Sequence, residues 1–323
     1  MKFGKGILVA LLSLATVGLA HAQQYPDKAV RIVVPFSAGG PTDVVARVVA
    51  EGLSQELKQP FVVENRPGAG GAIATDIVAK AKPDGYTLGV IGTGSFTIIP
   101  FMDPKLSYKP SQDLTAVAML STLDLMIVAK ADSKYKNMKE LIAFAKDNPG
   151  KLTYATAGVG STAHLDMENL WNIAGVKALH VAYAGDVPAA QGIMTGDVAI
   201  GLISASVSAS LVEAGKLKVI AYGGPGRANG FPDALSVEEQ TGFKDYVANS
   251  WNVLIAPAGT PQDITKKLNE AAMKTLAKPD VQKKLRSNGL TASKGDVKYA
   301  VDYVAKDADK RRRVIELIGL KRE

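Results

Sequence analysis

The chain has 323 residues, a formal charge of +7, 47% hydrophobic residues and no cysteine. That is ample material for a packed core spread over about two domains, and it excludes disulfides, thiolate metal sites and a cysteine nucleophile. The three histidines, one of them at position 21, are too few for a histidine-rich metal site.

Met1 to Ala22 has the pattern of an export signal. Lys2 and Lys5 give a positive start, Gly6 to Ala20 is almost uncharged and mostly apolar, and Ala20-His21-Ala22 fits a small-x-small cleavage site. Cleavage near Ala22 removes two lysines and no acid, so +7 becomes +5. No cysteine follows the signal to carry a lipid anchor. A free periplasmic protein is expected, as a monomer.

Val30 to Val34 reads as the first buried strand. Thr42 to Leu57 places Val44, Val45, Val48, Val49 and Leu53 at helical spacing, so that stripe is assigned to the core. Between them lie Phe36, Ser37, Ala38, Gly39 and Gly40, and Pro41 marks a helix start. Small residues leave the loop amides uncovered, and a helix N-terminus behind them carries unpaired donors and partial positive charge. The loop is therefore a candidate anion cradle, with Thr42 at its edge. A side chain at Gly40 would obstruct it, by bulk or by forbidding a positive φ. Asp43 has two open roles: meeting a ligand amine or a bridging water, or complementing the helix dipole.

Phe61 to Glu64 is a short strand. Gly68 to Gly71 is a tight turn launching a helix over Ala72 to Ala81; no Gly-Lys-Ser/Thr follows, so it is not a Walker loop. Tyr86 to Ile91 is the third strand, ending in a small polar loop that carries Ser95. In open parallel sheets ligands sit beyond the carboxyl ends of strands, so Ser95 joins the same mouth.

Leu123 to Ala129 is expected to carry the chain into a second domain. After a helix over Met138 to Asp147, the first design repeats. Leu152 to Ala155 is strand-like, Thr156, Ala157, Gly158 and Gly160 lie in the loop, and Ser161 or Thr162 caps a helix reaching Ala174. His164, in that helix's first turn, either donates to a ligand or caps the loop. Leu179 to Tyr183 precedes Asp186, Pro188 to Met194 is a short helix, and Val198 to Ile203 ends at Ser204. Val219 to Tyr222 closes the series, and Val247 to Ile255 returns to the first domain. Helices follow over Pro261 to Leu276, Pro279 to Asn288 and Val297 to Ile318.

Alternating strands and helices predict an α/β fold with mostly parallel sheets flanked by helices. The expected divisions are a signal at 1–22, domain 1 at 23–124 and 248–323, and domain 2 at 125–247. The two cradles would face one ligand across the cleft. The basic run Lys310 to Arg313 has no interleaved aromatics and reads as a solvated face, not a nucleic-acid surface.

Gly158 to Ala163 also matches G-x-G-x-x-A between a strand and a helix, with Asp186 at about the dinucleotide-fingerprint distance. A secreted NAD(P)-dependent oxidoreductase is thus the rival. Against it, free nicotinamide cofactors are scarce outside the cytoplasm. No G-x-S-x-G and no nucleophile–base pattern is present. The preferred reading calls for no cofactor, no metal and no catalysis.

VVPFSAGGPTD, VVENRPGAGGAIATDIVAKAKPDGYTLGV and LTYATAGVGSTAHL resemble signature segments of the Bug-type periplasmic solute-receptor family, the binding components of tripartite tricarboxylate transporters. The resemblance implies a type II-like two-domain periplasmic binding protein with a cleft between its domains. It implies carboxylate ligands (mono-, di- or tricarboxylates, aromatic acids or acidic amino acids) and membrane transporter subunits as partners. One departure stands out. Family members often carry a Tyr-Lys-Gly-Gly-like segment where this chain has Tyr183-Ala184-Gly185-Asp186, which should alter ligand choice.

Overall fold

The computed structural model describes residues 25–228, 231–244 and 246–321; the expected signal lies outside them. The first sheet starts with β1 (Val30–Val34), followed by α1 (Pro41–Leu57), β2 (Phe61–Asn65), α2 (Ala72–Ala79) and β3 (Thr87–Gly92). β1 lies between β2 and β3 and is parallel to both. α1 buries Val45, Val48, Val49 and Leu53 on one face, as their spacing predicts, while Val44 is only partly buried.

β4 (Leu114–Lys130) is much longer than the Leu123–Ala129 stretch that its flanks suggested. Its apolar run is buried on both faces, so composition gave no internal boundary. The second lobe follows with α3 (Met138–Asp147), β5 (Thr153–Thr156), α4 (Thr162–Ala174), β6 (Leu179–Ala182), α5 (Asp186–Thr195), β7 (Ile200–Ser204), α6 (Ala205–Glu213) and β8 (Leu217–Tyr222). β9 (Asn249–Pro257), α7 (Gln262–Leu276), α8 (Pro279–Arg286), β10 (Leu290–Ala292) and α9 (Val297–Ile318) complete the chain.

β4 belongs to both sheets. From Leu114 to Asp124 it pairs antiparallel with β9, and β10 joins at Ser121 to Leu123. From Leu125 onward it pairs antiparallel with β7, and from Met126 with β8. β5 is parallel to β6 and β7. Each sheet is therefore mixed rather than mostly parallel. The strands run parallel where helices connect them, and antiparallel where β4 and β9 cross between halves. The returning chain stays against this crossing, with Gly223 N–H on Leu125 O at 2.9 Å and Ala248 N–H on Gly223 O at 2.8 Å.

The basic run is not a uniformly solvated face. Arg311 is 2% exposed, because α9 turns that side chain toward α4. It donates to Asp166 Oδ1 at 2.5 Å and to Asn249 O at 2.7 Å, tying α9 to the start of α4 and β9. Lys310 and Arg313 remain exposed. Among the described residues, no helix is long and apolar enough to cross a membrane.

Candidate functional site

A cavity of about 60 Å3 lies where the loops of the two sheets meet. Three helix N-termini converge on it. α1 contributes Gly40, Pro41 and Thr42; α4 contributes Ser161, Thr162 and Ala163; α5 contributes Gly185, Asp186 and Val187. Sequence patterning pointed to the first two.

No side chain caps α1, and Pro41 occupies its first position. The Thr42 and Asp43 amides therefore have no intrahelical acceptor. In α4 the Ser161 hydroxyl accepts the His164 N–H at 3.2 Å, which leaves the Thr162 and Ala163 amides. α5 is also without a side-chain cap. Each such end carries about +0.5 of an elementary charge, so the wall attracts an anion. Among the described residues lining it, none is a lysine, arginine or histidine.

Eight of the residues singled out in the sequence line the cavity: Phe36, Ser37, Gly40, Thr42, Ala157, Ser161, Thr162 and Asp186. Gly40 has an ordinary extended backbone, φ −77 and ψ 169, so the expected positive φ is absent. A Cβ there would stand 3.6 Å from Ser37 O, an ordinary contact. Obstruction at Gly40 thus rests on bulk alone.

The other nine sit around or behind the wall. Ala38 and Gly39 are exposed at the loop tip. Asp43 is turned to its own loop: Oδ2 accepts Gly39 N–H at 3.0 Å and Arg47 Nε at 2.9 Å, and Oδ1 accepts Asn65 Nδ2 at 2.9 Å. Burial raises its carboxyl, but those hydrogen bonds outweigh burial and hold it below the usual carboxylate range. Its carboxylate therefore fixes the cradle, and its amide is what remains for a ligand.

Ser95 is buried in a wide helical turn, Gly94–Ile98, that replaces the expected polar loop, and its carbonyl accepts the Tyr108 hydroxyl at 2.7 Å. Gly92, Thr93 and Gly94 reach the cavity instead. Thr156 and His164 brace the second loop from behind. The Thr156 hydroxyl lies 2.7 Å from His180 Nε2, and Gly160 N–H donates to His164 Nδ1 at 3.2 Å. The two imidazoles stack at 4.1 Å. Burial pushes His164 down to about 3, with His180 adding to the shift, and pushes His180 down to about 4. Both stay neutral at pH 7, which leaves His164 Nδ1 free to accept. Ser204 is fully buried, and its N–H donates to Asp186 Oδ2 at 2.9 Å.

Glycine lets the two halves touch. A Cβ on Gly70 would stand 2.1 Å from Val159 O, and one on Gly94 would stand 2.7 Å from Gly160 O. The Gly68–Gly71 turn thus launches α2, as expected, and also meets the opposite loop. Ser37 Oγ donates across the cleft to Ala184 O at 3.1 Å. Gly158 and Gly160 have positive φ, as their loop requires.

Sequence patterning missed Ser250, on β9. Its hydroxyl lies 3.1 Å from Thr93 Oγ1 and 3.3 Å from Thr162 Oγ1, joining first-sheet and second-sheet groups at the cavity. No local motif marks it, since the return strand reads simply as core.

A dinucleotide does not fit this geometry. The space is far below the roughly 300–1,000 Å3 of sites for larger ligands. The Gly158–Ala163 loop faces the opposite loop, and Asp186 is engaged with Ser204. A larger hollow of about 510 Å3, between Phe96 to Ala116 and α9, contains none of the seventeen residues. Among the described residues no cluster of three or more histidine, aspartate or glutamate side chains could hold a metal.

The family model described as "Tripartite tricarboxylate transporter family receptor" matches residues 45–320. Protein BugT of Bordetella pertussis is 31% identical over 325 residues, covering 99% of this chain and 99% of BugT. A Rhodopseudomonas palustris protein solved with adipate superposes with a TM-score of 0.88 at 29% identity, covering 92% of this chain and 99% of that one. MatC from the same organism, solved with bound malate, gives 0.86 at 30% identity, covering 90% and 100%. The α/β, two-lobed architecture expected from the sequence is thus shared with solved relatives.

Proposed function

The chain belongs to the tripartite tricarboxylate transporter receptor family, and from that membership we propose that it is a periplasmic receptor that captures a small carboxylate between its lobes. The observation carrying this reading is the convergence of three helix N-termini on one cavity where the loops of the two sheets meet. Several aligned amides hold a carboxylate without a buried cation. Solved relatives hold adipate and malate.

The proposed domain boundaries follow the exchange of partners along β4. Domain 1 takes 23–124 and 248–323, and domain 2 takes 125–247, supported by the switch between Asp124 and Leu125. The hinge is the pair of crossings at Leu125 and at Gly223 to Ala248. The site binds and releases its ligand unchanged, acts as a monomer, and delivers to the membrane subunits of a transporter of the same class. Against the oxidoreductase alternative, this cavity has no room for a dinucleotide.

A thermal-shift screen of small carboxylates tests the proposal. A true ligand at a hundred times its Kd adds about 2.7 kcal/mol to the stability of the native state, and a matching rise in midpoint is expected for at least one acid. A midpoint flat across mono-, di- and tricarboxylates contradicts the proposal.

A further inference from the structure

The cavity holds a group that a simple anion site does not need. Among the described residues lining it, Asp186 is the one charged side chain. It sits at the first position of α5, and its Oδ2 accepts the Ser204 N–H at 2.9 Å. Hydrogen bonds from Ser204 favour its charged form, but burial pushes the carboxyl up. Among the described residues, no cation is set against it. Asp186 is partly buried, and a charge drawn partly out of water gains from pairing, so an ammonium carried in by the ligand would relieve the cost of burial.

The charge balance points the same way. Three helix ends supply roughly +1.5 in all. Asp186 returns −1, which leaves too little for a dianion and suits a ligand of one carboxylate and one compensating cation. At about 10–15 Å3 per water-sized occupant, the cavity takes roughly four to six such groups. A tricarboxylate is larger than that.

We propose that the site takes a compact zwitterion, an amino acid whose carboxylate rests on the helix N-termini and whose ammonium meets the Asp186 carboxylate. This rests on the receptor reading above and names the ligand class for it. Val187 and Ala157 on the same wall supply apolar contact for a short side chain.

Calorimetry on the purified protein with matched pairs tests it: glycine against acetate, alanine against propionate, aspartate against succinate. At least one amino member should bind about ten- to a hundredfold more tightly than its partner, the range of a charge-assisted hydrogen bond. Asp186→Asn keeps an acceptor for Ser204 N–H and should erase that preference, weakening the amino member while leaving the other unchanged or tighter. Wild-type protein that binds the desamino members equally well or better overturns the zwitterion assignment and leaves the carboxylate receptor standing. Equal weakening of both members by Asp186→Asn overturns it too, because Asp186 then only positions Ser204. No binding by any member of any pair overturns the zwitterion assignment, and the carboxylate receptor then stands or falls on the thermal-shift screen.

Discussion

Arg311→Met is expected to destabilise the protein by about 3–5 kcal/mol, the cost of breaking a buried ion pair from one side. Asp166 and Asp307 would keep side chains that are 6% and 9% exposed and lose their cation. The guanidinium also satisfies Asn249 through O and Oδ1, at 2.7 and 2.9 Å, so the start of β9 would lose two donors. Urea unfolding of the two proteins measures the difference. Adding Asp166→Leu to Arg311→Met should recover most of the loss, because a buried pair replaced by apolar groups is often neutral. A cost under about 1 kcal/mol, typical of exposed pairs, would mean that the basic run is solvated after all.

Gly94→Ala is expected to weaken ligand binding about ten- to a hundredfold, the equivalent of 1–3 kcal/mol of overpacking. The added Cβ would stand 2.7 Å from Gly160 O and 3.1 Å from Ser161 Cα, backbone atoms that cannot swing aside. Relief comes only by holding the second loop off the first, which opens the cavity. Unfolding of the ligand-free protein should change little, since the parted lobes remove the clash. Gly94 is a cleaner choice than Gly70, whose φ of +65 strains any side chain in either state. Calorimetry with the ligand found by screening decides it. Affinity within threefold of the wild type would show that these loops do not meet around the ligand.

Much of the architecture was legible because local signals agreed with one another. The α1 stripe, the Ser161 cap and the Val297–Ile318 helix follow from periodicity and capping chemistry, and the structure places them where those rules do. β4 was read too short, because an apolar run buried on both faces has no alternation to mark where it starts or changes partners. The third helix end was visible only as Asp186, and nothing in its spacing reveals that α5 points at the same cavity as α1 and α4. Ser250 and Arg311 were illegible for one reason. Both act through contacts far away in sequence, Ser250 with Thr93 and Thr162, and Arg311 with Asp166. Asp43 is a different case: the sequence left two roles open for it, and the structure adds a third engagement, three hydrogen bonds that tie its carboxylate to Gly39, Arg47 and Asn65.

The most direct test of the central claim is a crystal structure of the protein with the ligand found by screening. The account predicts a carboxylate of that ligand within hydrogen-bond distance of backbone amides at two helix N-termini, Thr42 or Asp43 on α1 and Thr162 or Ala163 on α4, with no lysine or arginine touching it. A ligand carboxylate held by a basic side chain, or a ligand seated in the hollow beside α9 with the helix ends untouched, would contradict it.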